Sequence, residues 1–142
     1  MAEKIYRAGL IPVYIDSDKE MHMLFMQPSD TRYGGSDYQI AKGRIEEDEE
    51  PYDTAIREAG EELGLRPDNM TDVYDCGRWL GRTYFYVAIV ADKEDFGDFH
   101  FETASTKWMT PMEFAKNGRD IHREVVRHAT NIVEMATMYT DI

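Results

Sequence analysis

Three glutamates near the middle of the chain, Glu58, Glu61 and Glu62, stand three and four residues apart in the run REAGEEL. In a helix, a rotation of about 100° per residue gathers such side chains on one face. Like charges at that spacing cost about 0.2–0.5 kcal/mol per pair in an isolated helix, a penalty that a bound cation would remove. Oxygen donors and high local charge favour magnesium, with manganese as a substitute, over zinc. On an arbitrary Glu-rich helix a solvated face is the commoner outcome. The neighbours therefore matter. Arg57 precedes Glu61 by four residues and adjoins Glu58, where it could hold a carboxylate in one rotamer.

The elements that must position these side chains are marked in the sequence. Pro51 near the start and Gly64 after Leu63 delimit a helix over 51–63. Its wheel groups Ile56, Ala59, Gly60 and Leu63 toward a core and sets the three glutamates opposite. Ile5 to Ile15 and Met21 to Met26 read as strands of a hairpin turned at Asp16-Ser17-Asp18. An exposed loop over Pro28 to Asp37 and short strands around Tyr38 to Ile45 follow. Val73 to Leu80 and Thr83 to Ala91 read as a second hairpin about Gly81-Arg82. A long loop, Asp92 to Thr106, precedes a short strand at Lys107 to Met109. Ile121, Val125, Ala129, Ile132, Val133 and Ala136 recur at helical spacing, predicting a long amphipathic helix from Arg119 to Met138. Strands mixed with two main helices make the expected class α/β, a mixed sheet covered on both faces. Length and the absence of a linker or repeat predict one domain over residues 1–142.

The stretch GRIEEDEEPYDTAIREAGEELGL, Gly43 to Leu65, resembles the Nudix box, G-x5-E-x7-R-E-U-x-E-E-x-G-U with U apolar. Every fixed position is filled: Gly43, Glu49, Arg57, Glu58, Glu61, Glu62 and Gly64, with Ala59 and Leu65 at the apolar places. Ala59 is smaller than the usual aliphatic residue, and Gly60 inside a helix costs about 1 kcal/mol relative to Ala. The resemblance implies a Nudix-type α/β/α sandwich and magnesium-dependent hydrolysis of a diphosphate bond. It implies that Glu58, Glu61, Glu62 and the Gly43 carbonyl ligate the metal while Arg57 and Glu49 orient the cluster. In this family a loop glutamate downstream often serves as general base. Glu102 matches that description, with Glu94, Asp95, Asp98 and Glu61 itself as competitors.

Substrate contacts are expected from Lys42 and Arg44 beside the box glycine, from Arg82 and from Tyr84, since phosphate attracts cations and a base stacks on an aromatic face. The cluster Trp79, Tyr84, Phe85 and Tyr86 alternates as a strand does and is more often core than platform. The four histidines show no close ligand spacing, and His122 and His128 are expected on a helix surface.

Acidic residues outnumber basic ones 28 to 16, for a net charge of -12. That field repels nucleic acid and anionic membrane and leaves a small, metal-borne nucleotide as the expected partner. A single cysteine, Cys76, excludes an intramolecular disulfide framework and fits a reducing compartment. With no export signal or spanning segment in view, cytoplasmic is the default. A homodimer paired through an apolar face is a further, unsupported expectation. Within the family, Leu80 replaces the Pro that resembles ADP-ribose pyrophosphatases. Tyr84, close to a characteristic Tyr, and the Ala-Lys-Gly run before the box resemble diadenosine polyphosphate hydrolases. ADP-ribose and FAD stay within the substrate class. The alternatives are an RNA 5′-pyrophosphohydrolase or decapping enzyme, opposed by the net charge, and a non-catalytic nucleotide-sensing Nudix module, opposed by the intact box.

Overall fold

The structure, a computed structural model, describes residues 5–32 and 34–140; the first four residues, part of the stretch read above for an export signal, lie outside it. Period-two alternation along the first strand sets the architecture. In β1 (Arg7–Ile15), Ala8 and Leu10 point to one core cluster while Ile11 and Val13 point to another. A strand apolar on both sides must be covered on both sides. β1 is central: it pairs antiparallel with β2 (Met21–Pro28) and β3 (Ala41–Arg44), and parallel with β5 (Thr83–Val90). β4 (Met70–Trp79) and β6 (Thr103–Met109) close the two edges, giving a six-stranded mixed sheet.

One face carries α1 (Pro51–Leu63), whose Ala55, Ala59 and Leu63 pack on Ala8, Leu10, Leu24 and Ala41. The opposite face carries α2 (Pro111–Asn117) and α3 (Arg123–Thr140), with Phe114, Val125, Ala129 and Val133 against Ile11, Val13, Phe25 and Val87. The expected α/β/α sandwich with a mixed sheet is what forms. No helix among the described residues is long and apolar enough to cross a membrane.

Several expected details are revised. A short helix beyond the two expected, α2, follows β6 and starts at the reciprocal capping box of Thr110 and Glu113. The final helix begins at Arg123, after a single 3-10 turn over Asp120–His122. β6 starts at Thr103, earlier than Lys107, because Thr103 to Met109 pairs along β2. The β4–β5 turn places positive φ at Leu80 and Gly81, not at Gly81 and Arg82. Only Ala41–Arg44 forms a strand in the 38–45 region, preceded by isolated bridges at Tyr38 and Gln39.

Candidate active site

The box loop is organised by one carboxylate. Glu49 accepts hydrogen bonds from the Glu46 backbone N–H and the Thr54 hydroxyl, and a two-pronged pair from Arg57 at 2.8 and 3.0 Å. Arg57 then extends to Glu58 at 2.9 Å, Glu61 at 3.5 Å and the Arg44 carbonyl at 3.1 Å. The guanidinium beside Glu49 holds that carboxyl down to about 2, and the same contacts raise Arg57 further above its ordinary value. A planar fork is needed for this, because a single ammonium cannot serve four acceptors in fixed directions.

The helix wheel is corrected at one place. Glu62 is not on a solvated face: it is 9% exposed, wedged between α1 and the sheet, while the Glu61 side chain is 38% exposed. Burial first, and then hydrogen bonding to Glu58, pushes the Glu62 carboxyl far above the carboxylate range, against the pull of Lys42. Two acids share a pocket that favours one proton, or one cation, between them.

Gly43 explains how they fit there. It pairs with Ala8 across the β1–β3 ladder, and a Cβ on it would overlap the Glu58 carboxylate. Only a bare backbone lets that side chain lie against the strand. At the other end of α1, Gly64 takes the left-handed cap conformation at φ 76°, and its N–H bonds back to Gly60. The cradle of small residues, buried acids and opposed oxygens fits a hard divalent cation.

Beside the cradle opens a cavity of about 950 Å³. Of the residues singled out in the sequence, Glu58, Glu62, Glu102, Lys42, Gly43 and Arg44 line it, while Glu61 does not. Arg7, Arg32 and Arg119 line it as well, and no local motif marks them. Arg119 is held by hydrogen bonds from its backbone to the Tyr38 carbonyl and from its guanidinium to Gln39 at 2.7 Å. Burial lowers the Lys42 ammonium, with Arg119 and Arg7 adding to the effect. Glu94, Asp95 and Asp98 are not in the cavity wall, and Asp95 faces Arg66 instead at 3.4 Å.

Arg82 and Tyr84 are not in that wall either. The Arg82 guanidinium lies over the Tyr6 ring, and the Tyr84 hydroxyl donates to Asp75. Phe85 is fully buried, and Trp79 packs on the core with its indole N–H bonded to the Cys76 carbonyl. His128 is exposed beside Trp79, but His122 is a correction: it is fully buried, and its Nδ1 accepts the Ile40 N–H at 3.1 Å. Ile121, counted above among the recurring apolar positions of the final helix, lies in the turn before it and is half exposed on the cavity wall.

A family model described as the NUDIX domain matches residues 6–129. This chain belongs to the Nudix family. No curated protein sequence matches it significantly. Its fold is similar to an Ap4A hydrolase of C. elegans solved as a binary complex, at 18% identity and TM-score 0.73, over 90% of this chain and 98% of that one. It is similar to the Nudix hydrolase RenU of M. smegmatis at 15% identity and TM-score 0.73, over 94% and 89%. The Nudix domain of Shewanella oneidensis NrtR, complexed with ADP ribose, matches at 14% identity and TM-score 0.69, over 94% and 90%. The family match includes the Nudix box and elements on both faces of the sheet, from the start of β1 into α3.

Among the described residues, the one group of three acidic or imidazole side chains whose ligand atoms lie within 4.8 Å of one another is Asp16, Glu20 and His22 at the β1–β2 turn; Glu58, Glu61 and Glu62 do not converge that closely. Asp16 there accepts the Asp18 and Glu20 N–H groups and the His22 ring contact, as an ordinary turn acid does. It is separate from the Nudix box and lies outside the cavity wall.

Proposed function

We propose that this Nudix pyrophosphohydrolase hydrolyses, with magnesium or manganese, a diphosphate bond in nucleoside diphosphate-linked small molecules such as diadenosine polyphosphates, ADP-ribose or FAD. The observation that carries the reading is the opening of the Glu58–Glu62 cradle into a cavity whose wall also carries five cationic side chains, Arg7, Arg32, Lys42, Arg44 and Arg119. Glu58, Glu61, Glu62 and the Gly43 carbonyl would hold the metal. When bound, the cation masks diphosphate charge and makes water easier to ionise.

The chain's own residues supply the rest. Arg57, anchored on Glu49, fixes the direction of Glu58 and steadies Glu61. Lys42, Arg44 and Arg119 offer donors to phosphate oxygens, positioning the substrate in a cavity that a net charge of -12 would otherwise close to anions. Two acids from outside the box line the cavity, Asp30 and Glu102; Asp30 is paired with Arg32, and Glu102 is our candidate to take the proton from the attacking water. The proposed working compartment is the cytoplasm, in keeping with one buried, free cysteine.

The test is release of phosphate or nucleotide from diadenosine polyphosphates, ADP-ribose, FAD, nucleoside triphosphates and 5′-triphosphorylated RNA, with and without magnesium. Magnesium-dependent AMP release from the ADP-linked compounds is expected. Cleavage of RNA alone would replace this reading with an RNA 5′-end activity, and nucleotide binding without any cleavage would replace it with a sensor.

A further inference from the structure

The cavity wall has an apolar part that the cations do not explain. Phe101 is 87% exposed, Ile121 50% and Leu80 43%, and all three line this one cavity. Scattered exposed apolar side chains are ordinary, but three large ones around a binding cavity form a surface waiting for an apolar occupant.

Phe101 is not exposed because its segment is loose. Its carbonyl accepts the Ser29 hydroxyl at 2.6 Å, and the next carbonyl, of Glu102, accepts the Ser29 N–H at 2.9 Å. On either side, the His100 N–H donates to the Glu61 carbonyl at 2.7 Å and the Thr103 hydroxyl donates to the Glu62 carbonyl at 2.9 Å. The backbone is thus pinned to the end of β2 and to the last turn of α1 while the ring stays in water. Those α1 carbonyls belong to two of the box glutamates, so the backbone that carries the ring is held at a set place relative to the reacting end of the cavity.

We infer that Phe101 is the stacking platform for the nucleobase of the substrate, in the place the sequence reading gave to Tyr84. Tyr84 is spent on Asp75 outside the cavity wall, whereas the Phe101 face is open within it. Phosphate held by Lys42, Arg44 and Arg119 and a base laid on Phe101 require a ligand with both parts, a nucleotide and not a bare diphosphate. Phe101 determines specificity and takes no part in the bond cleavage. The inference rests on the proposed reaction only for the identity of the phosphate end.

Phe101→Ala, Phe101→Tyr and the unchanged protein should be compared in two ways, with magnesium present. Steady-state turnover of ADP-ribose reads kcat and KM; calorimetry reads Kd for AMP and for its base-free counterpart, ribose 5-phosphate. Neither of the latter has a diphosphate bond to cut. For Phe101→Ala we expect KM for ADP-ribose and Kd for AMP to rise about tenfold, within the range of lost base stacking. Ribose 5-phosphate affinity and kcat should stay within about twofold, and Phe101→Tyr should restore AMP binding. An unchanged AMP Kd, equal losses for AMP and ribose 5-phosphate, or no AMP binding by the unchanged protein would overturn the platform. Turnover without the AMP contrast leaves the reaction standing and removes the platform; the contrast without turnover of any diphosphate does the reverse.

Discussion

The two walls of the cavity are built in different ways. The near wall comes from one stretch of chain, the Nudix box, where Gly43, Arg44, Glu58 and Glu62 line the cavity and the Glu49–Arg57 pair stands behind them, through a strand, a loop and a helix in succession. The far wall comes from Ser29 at the end of β2, the segment His100 to Glu102 before β6, and the turn Arg119 to Ile121 before α3. The near wall is dense with charge and almost closed by packing; the far wall keeps apolar groups in water. The difference teaches a division of labour, with chemistry on the local wall and recognition of the rest of the substrate on the assembled one.

The sharpest way to break that division is to remove near-wall charge without changing shape. Glu62→Gln or Glu58→Gln should lower kcat for ADP-ribose by about a thousandfold or more, since metal charge stabilisation goes with the carboxylate. Circular dichroism and thermal unfolding should show the fold retained; activity kept in both variants would remove the site. Glu102→Gln should lower kcat by about a hundredfold with KM little changed, as loss of a general base does. A KM effect with kcat intact would return Glu102 to the far wall as a binding group. Arg57→Ala should cost about ten- to a hundredfold in metal affinity or turnover, recovered poorly by Arg57→Lys because a lysine cannot fork between Glu49 and Glu58. Full recovery by lysine would mean that charge alone, and not geometry, does the orienting.

An effect on stability, with none expected on the chemistry, concerns what braces the far wall. His122 is fully buried, and burial, with Lys42 and Arg119 nearby, holds its imidazole down to about 3. Its folded value lies below the unfolded one of about 6.5, so the unfolded chain takes up a proton that the folded chain refuses. Stability is therefore complete above about pH 6.5 and declines as pH falls toward 3, by roughly 3 kcal/mol at pH 4 from this group. Urea unfolding of the protein and of His122→Asn between pH 7 and pH 4 should give a shallower decline for the variant. Equal slopes would mean the loss of stability in acid comes from carboxylates such as Glu49, whose depressed value removes its contribution between about 4.5 and 2.

Much of the near wall was legible because its geometry is local. Residues three and four apart must neighbour one another once a helix forms, and Pro51 and Gly64 say where that helix starts and ends. The alternation in β1 likewise announces a sheet covered on both faces. The burial of Glu62 was not legible, since it depends on how closely α1 approaches the sheet over Gly43 and Ala8. Neither was the burial of His122, which follows from a turn docking on Ile40 across more than half the chain.

By itself the sequence determined which residues carry the charge, which element carries them, and the family they mark. Tertiary structure alone decided which cations and which aromatic face the cavity. Arg82, Tyr84, Arg119 and Phe101 are indistinguishable as residue types on a surface, and the pairing of β4 with β5 turns Tyr84 to Asp75. Bonds to Ser29 and to the end of α1 hold Phe101 at the cavity instead. Those bonds join residues far apart in the chain, and no spacing rule within a single element encodes them.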